Sequence, residues 1–229
     1  MKIGGLQRIS LIDYPGKISA IVFTQGCNFR CPYCHNPELV DPARYETTLD
    51  EGEVLSFLKR RRGKLDAVTV TGGEPTVQPD LELFLEKIRK MGYLIKVDTN
   101  GSNPRVLEAL IRGNLVDYLA MDIKGPLKKY GQIASVKVDA SVIRRSIEII
   151  TASGIEHEFR TTVVRSQLAM DDLISISKLL KKAGLYVLQS FVPAKTIDNS
   201  FLSETSYSQE EFGAIRKKLE RGSLRLLVR

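Results

Sequence analysis

Residues 18–39 read ISAIVFTQGCNFRCPYCHNPEL. A short β-branched run, residues 18–24, stops at the turn signal Gln25-Gly26 and gives way to Cys27, Cys31 and Cys34. Those are the three cysteines of a 229-residue chain. A strand that passes into a chemically loaded loop at its C-terminal end is the layout of parallel α/β folds. The fold is decided by whether that pattern repeats.

It does. Further apolar runs occupy residues 67–71, 94–98, 116–122, 158–164 and 186–192. Turn signals and helical spacing follow, at 51–62, 81–91, 105–112, 141–153, 171–183 and 209–220. Strands alternating with helices predict parallel pairing through right-handed crossovers. Six βα units in one unbroken series predict a single α/β domain spanning residues 1–229. Asp50, Ser208 and the pair Asp171-Asp172 suit helix N-termini, and Gly92, Gly113, Gly154 and Gly184 suit left-handed C-caps. Residues 223–229 are compatible with an added strand or a docking segment.

Composition narrows the class. The apolar fraction of 43% and charged fraction of 27% are those of an ordinary globular protein. No signal-peptide pattern is present, and the apolar stretch 18–23 is far too short to span a bilayer, so no membrane role is expected. The expected location is cytoplasmic, where thiols stay reduced and clustered cysteines indicate metal or catalysis rather than disulfides. The net charge is +7. Runs such as Lys59-Arg60-Arg61-Arg62 and Arg216-Lys217-Lys218 read as solvated helix ends, or as attraction to an acidic partner protein. Nucleic acid is not expected as a partner, because no basic stripe is interleaved with aromatics and tryptophan is absent.

The unusual residues gather after strands. Gln25-Gly26-Cys27, Gly72-Gly73-Glu74-Pro75, Thr99-Asn100-Gly101, Lys124-Gly125-Pro126 and Pro193 all follow the C-terminal ends of predicted strands, where parallel barrels and sheets place their chemistry. Thiols spaced four and three apart on such a loop can converge on an inorganic cluster. Zinc competes, but a structural zinc site closes with four ligands, and His35, adjacent to Cys34, would strain to be the fourth. Gly72-Gly73 allows backbone to approach a ligand closely. Asp122 and Lys124 alternate at a strand end, either as an exposed ion pair or as site residues. Arg160 lies within the fifth strand, where it faces the interior or pairs with a glutamate. His157 reads as structural.

The spacing C-x3-C-x2-C, with Tyr33 before the last cysteine, resembles the signature of radical S-adenosylmethionine (SAM) enzymes. That resemblance implies a partial (β/α)6 barrel, with Cys27, Cys31 and Cys34 on a [4Fe-4S] cluster and the amino and carboxylate groups of SAM on the open fourth iron. One electron then splits SAM to a 5′-deoxyadenosyl radical that takes a hydrogen atom from substrate, so no protein side chain beyond those holding cluster and SAM is expected to be catalytic. It also implies that Gly72, Gly73 and Glu74 meet the methionyl amine and that Thr99 and Asn100 line the SAM pocket. Asp122 and Lys124 resemble the D-[LI]-K segment that contacts SAM in glycyl-radical enzyme activases, and Arg160 is a candidate for the SAM carboxylate.

Leu11-Ile12-Asp13-Tyr14-Pro15-Gly16 and the run Cys34-His35-Asn36-Pro37-Glu38 are similar to those activases, above all the activators of anaerobic ribonucleoside-triphosphate reductase. The implied substrate is a glycine on a partner glycyl-radical enzyme, and the implied electron donor is a flavodoxin or ferredoxin. The GxIxGxxE pattern is not evident in residues 161–170, which leaves adenosine contacts on strands five and six unassigned. The alternatives are a small-molecule radical SAM enzyme such as 7-carboxy-7-deazaguanine synthase and a non-catalytic iron–sulfur sensor or carrier.

Overall fold

A computed structural model describes residues 1–219 and 224–229 of the chain. Its strands are β1 (Ile3–Ser10), β2 (Ser19–Thr24), β3 (Ala67–Gly72), β4 (Leu94–Thr99), β5 (Tyr118–Asp122), β6 (Glu156–Val163), β7 (Leu185–Ser190) and β8 (Arg225–Val228). They form one sheet in sequence order. Pairing is parallel from β2 to β8, and β1 returns antiparallel on β2. The six strands read from the sequence are β2 to β7. The helices are α1 (Pro37–Val40), α2 (Glu51–Arg60), α3 (Leu81–Lys90), α4 (Pro104–Arg112), α5 (Tyr130–Ala134), α6 (Ala140–Ala152), α7 (Met170–Leu179) and α8 (Gln209–Leu219). This is the α/β partial barrel, widened by one strand at each edge; among the described residues β1 and β8 do not pair, so its side stays open.

Strand alternation separates two environments. Ala20, Val22, Val68, Val70, Ile95, Val97 and Leu119 pack outward into a core with Leu58, Phe84, Leu110 and Ile150 from the helices. Each such fully buried Leu or Ile contributes about 1.5–3 kcal/mol. The alternate positions carry Lys96, Asp98, Glu158 and Arg160, so the inner face is charged and the outer face holds the sheet to its helices. Among the described residues no helix is long and apolar enough to cross a membrane.

The punctuation differs from expectation in places. Gly92 and Gly154 adopt φ of +86° and +73° after α3 and α6. Gly113, however, has φ −78°, and the next residue, Asn114, takes the left-handed turn at φ +52°. Helix α7 stops at Leu179, short of residue 183, and Gly184 is not left-handed. It begins at Met170, with Asp172 accepting from the Ala169 N–H at 2.9 Å. Glu220, the expected end of the last helix, and Ser223 lie outside the described residues. Within the C-terminal segment, residues 225–228 form strand β8, paired with β7.

Candidate active site

The cysteine loop leaves β2 through Gly26, whose φ of +109° is open to glycine. It is fastened by backbone bonds from Gly26 N–H to Leu39 O at 2.7 Å and from Arg30 N–H to Ala134 O at 2.9 Å. The Arg30 guanidinium donates to the carbonyls of Cys27 at 2.6 Å and Phe29 at 2.8 Å, curling the loop around its own axis. A tight turn closes Cys31 to Cys34, 3.0 Å from N–H to O. Residues 191–203, between β7 and α8, strap this loop from outside. Arg44 donates to Thr196 O and Ile197 O at 3.2 and 3.0 Å, Asp198 N–H meets Pro32 O at 3.0 Å, and Phe191 stacks on His35 with ring centroids 5.4 Å apart.

Burial pushes the Cys27 thiol up to about 12, helped by the neighbouring Glu74 charge, and the Cys31 thiol up to about 11. Such thiols stay protonated unless a cationic centre takes them as thiolates. Three soft sulfur donors facing one cavity of about 250 Å³ fit an iron–sulfur cluster. A structural zinc ion closes with four ligands, one more than the three thiols supply.

Beside the thiols, Gly72-Gly73 presses β3 against the start of the cysteine loop. A Cβ on Gly73 would stand 2.1 Å from Gly26 O, and one on Gly72, at φ +109°, 2.6 Å from Thr24 N. Glu74 is 1% exposed. Its Oε1 accepts from Thr76 N–H at 3.1 Å, the Thr76 hydroxyl at 2.5 Å and the Thr99 hydroxyl at 2.7 Å. Among the described residues, its Oε2 accepts from Asn100 N–H alone, at 2.6 Å. One oxygen is thus saturated while the other keeps a lone pair. Burial raises the Glu74 carboxyl above its ordinary value despite these bonds. In the Thr99-Asn100-Gly101 turn, the backbone passes so close to Met121 that a Cβ on Gly101 would lie 2.0 Å from its methyl carbon.

The cavity floor is ionic. Arg160 Nε donates to Asp122 at 2.8 Å and its terminal nitrogen to Asp98 at 3.1 Å; Lys124 reaches Asp122 at 3.1 Å, and Lys96 pairs with Asp98. Burial alone would raise both aspartates, but Arg160 first, then the lysines, holds them below the usual carboxylate range. Burial likewise opposes the Lys124 charge, which Asp122 restores and raises well above the ordinary lysine value. Glu158 pairs with Arg229 at 3.2 Å and lies 3.9 Å from Arg160.

All thirteen residues singled out in the sequence line this one cavity: Cys27, Cys31, Tyr33, Cys34, His35, Gly72, Gly73, Glu74, Thr99, Asn100, Asp122, Lys124 and Arg160. Arg160 lines the cavity and pairs chiefly with Asp122 and Asp98, with Glu158 farther off at 3.9 Å. Asp98, which opens the Asp98-Thr99-Asn100-Gly101 loop read from the sequence as part of the rim, lines the cavity as well. Sequence reasoning missed Phe29, Thr162 and Gln189, which carried no signal.

The sequence pattern of the radical SAM superfamily matches residues 21–188, and the chain belongs to that superfamily, whose cofactors are a [4Fe-4S] cluster and SAM. Within it, a Methanocaldococcus jannaschii protein, provisionally described as a glycyl-radical enzyme activating enzyme, is 34% identical over 225 residues, 94% of this chain and 92% of that protein. The pyruvate formate-lyase-activating enzyme of Staphylococcus epidermidis is 38% identical over 101 residues, 42% of this chain and 39% of its own. Among solved structures, Streptococcus suis SuiB bound to SAM matches with a TM-score of 0.70 at 11% identity, over 91% of this chain and 51% of that one. Native anSMEcpe with bound SAM matches at 0.63 and 18% identity, over 88% and 62%. At these identities the structures speak for the fold. The chain is a radical SAM enzyme whose relatives are glycyl-radical enzyme activating enzymes.

Proposed function

We propose that Cys27, Cys31 and Cys34 would hold a [4Fe-4S] cluster as thiolate ligands, and that the adjoining cavity would hold SAM. The reaction we infer is removal of a Cα hydrogen atom from a glycine of a partner glycyl-radical enzyme, of the anaerobic ribonucleotide reductase kind. Bound there, the cluster and SAM would supply the one-electron radical chemistry for that hydrogen abstraction. The chain's own part is to bind and orient. Glu74 Oε2 offers its remaining lone pair to the SAM ammonium, with the Gly72-Gly73 backbone beside it. Arg160 and Lys124 present cations to the SAM carboxylate and polar edges, and Thr99 and Asn100 form the facing wall. Tyr33 and His35, packed on Phe191, keep water from the cluster side.

The observation that carries this reading is the convergence of three thiols and the ten polar or glycine positions on one cavity. The open side of the barrel supports a macromolecular substrate. There a second cavity of about 480 Å³, lined by Ile12, Asp13, Lys96, Glu158 and Arg229, shares Arg160 and Gln189 with the first. A peptide loop entering between β1 and β8 would pass Asp13 and reach the SAM cavity. The electron comes from a flavodoxin or ferredoxin, whose acidic surface suits the +7 charge, and the thiol chemistry suits the reducing cytoplasm.

The test is a single anaerobic turnover of reconstituted, reduced enzyme with SAM and a co-expressed anaerobic ribonucleotide reductase. The expected result is a stable glycyl-radical resonance on the reductase, stoichiometric with 5′-deoxyadenosine. Deoxyadenosine formed only with small molecules, with no radical on any glycyl-radical enzyme, would overturn the proposal.

A further inference from the structure

Among the described residues, Cys27 has a side-chain hydrogen-bond donor in addition to a backbone one. Phe29 N–H lies 3.4 Å from Cys27 Sγ, and Asn100 Nδ2 lies 3.9 Å from it. The Asn100 amide cannot turn away, because it belongs to a closed ring of three bonds. Its Nδ2 donates to Asn28 Oδ1 at 2.9 Å, Asn28 Nδ2 donates to Ser102 Oγ at 2.8 Å, and Ser102 N–H donates to Asn100 Oδ1 at 2.9 Å. A backbone N–H can only donate, so Ser102 fixes which end of the Asn100 amide faces the sulfur. The ring also staples the cysteine loop to the loop after β4. Asn100 is 5% exposed, so its contact is shielded from water.

We propose that Asn28 and Ser102 are positioning residues that hold the Asn100 amide against Cys27 and thereby set the reduction potential of the cluster. Reduction adds negative charge to the cluster and its thiolates. An N–H aimed at a ligating sulfur stabilises the reduced form more than the oxidised one, and so raises the potential. The ring brings the cluster within reach of a one-electron donor. This inference rests on Cys27 being a cluster ligand.

The experiment is a resonance-monitored redox titration, without SAM, of anaerobically reconstituted wild type, Asn28→Ala, Ser102→Ala, Asn100→Ala and the Asn28→Ala/Asn100→Ala double variant. Asn28→Ala is expected to lower the reduced-to-oxidised ratio at a fixed potential about tenfold, which for a one-electron couple is about 59 mV more negative. Ser102→Ala, at the outer rung, shifts it the same way by less. The double variant shifts it no further than Asn100→Ala alone, because Asn28 acts only through Asn100. Midpoints unchanged in both Asn28→Ala and Ser102→Ala, or fully additive shifts in the double variant, would overturn the inference while leaving the ligand assignment intact. A wild-type protein that assembles no cluster would overturn the ligand assignment itself.

Discussion

Replacing Arg160 with methionine removes the cation that ties the cavity floor together while keeping an unbranched apolar stem. The guanidinium stands 2.8 Å from Asp122 and 3.1 Å from Asp98, with Glu158 at 3.9 Å, and its side chain is 13% exposed. Breaking a buried pair by removing one partner costs about 3–5 kcal/mol. Lys96 and Lys124 remain on Asp98 and Asp122, which places the expected cost near the lower end, about 3 kcal/mol. For a chain of this length, each kcal/mol moves the melting temperature by about 2–4 °C, so a fall of about 6–12 °C is expected.

The pH dependence gives the result a signature. Asp98 and Asp122 have depressed folded-state values, so their contribution is complete above the unfolded value of 3.8 and is lost as pH falls through the folded one. Arg160→Met removes the largest of the influences that lower them. The gap between wild type and variant is therefore full at neutral pH and closes on acidification below 3.8. Thermal melts of the apo chain by circular dichroism, taken from neutral into the acid limb, read it directly. Arg160→Lys keeps the charge but loses the two-point fork, and should fall between the two. Equal melting at neutral pH, or a gap that stays constant under acid, would refute the reasoning.

Glu74→Gln keeps an oxygen for the threonine donors but strands the Asn100 N–H now bonded at 2.6 Å. It should cost about 1–3 kcal/mol in a thermal melt and weaken SAM in equilibrium dialysis. Gly73→Ala drives a Cβ to 2.1 Å from Gly26 O, a backbone clash that must part the two loops. Iron incorporation on reconstitution should drop several-fold, whereas Gly184→Ala, with nothing within 4 Å, should leave it unchanged. Arg44→Ala releases the strap bonds to Thr196 and Ile197, and a chelator should then strip iron faster than from wild type.

The βα rhythm was legible because the core strands combine β-branched residues with turn signals, and because strands such as β2 and β5 are buried on both faces, which leaves the apolar run nearly continuous. Strand β1, IGGLQRIS, was not legible. It carries two glycines and mostly exposed or half-exposed positions, and its place comes from antiparallel pairing with β2, a long-range contact. Strand β8 is only four residues long, too short for a period, and its identity comes from β7 beside it. Gly113 misled because glycine marks a helix end without fixing which residue turns left-handed; Asn114, also tolerant of that region, takes the turn. In the site, motif residues were readable because tight spacing and paired glycines have few other uses. Phe29, Thr162 and Gln189 were not, since ordinary residues acquire a role only through the barrel's curvature. The side-chain ring of Asn28, Asn100 and Ser102 was equally hidden, joining loops 72 residues apart.

The most direct test of the account is electron resonance of the anaerobically reconstituted, reduced protein before and after SAM is added. If Cys27, Cys31 and Cys34 leave one iron without a protein ligand, SAM must change the cluster's spectrum, and 5′-deoxyadenosine must follow reduction. A centre that is zinc-filled or saturated by protein ligands, with a spectrum indifferent to SAM, would contradict the account at its base.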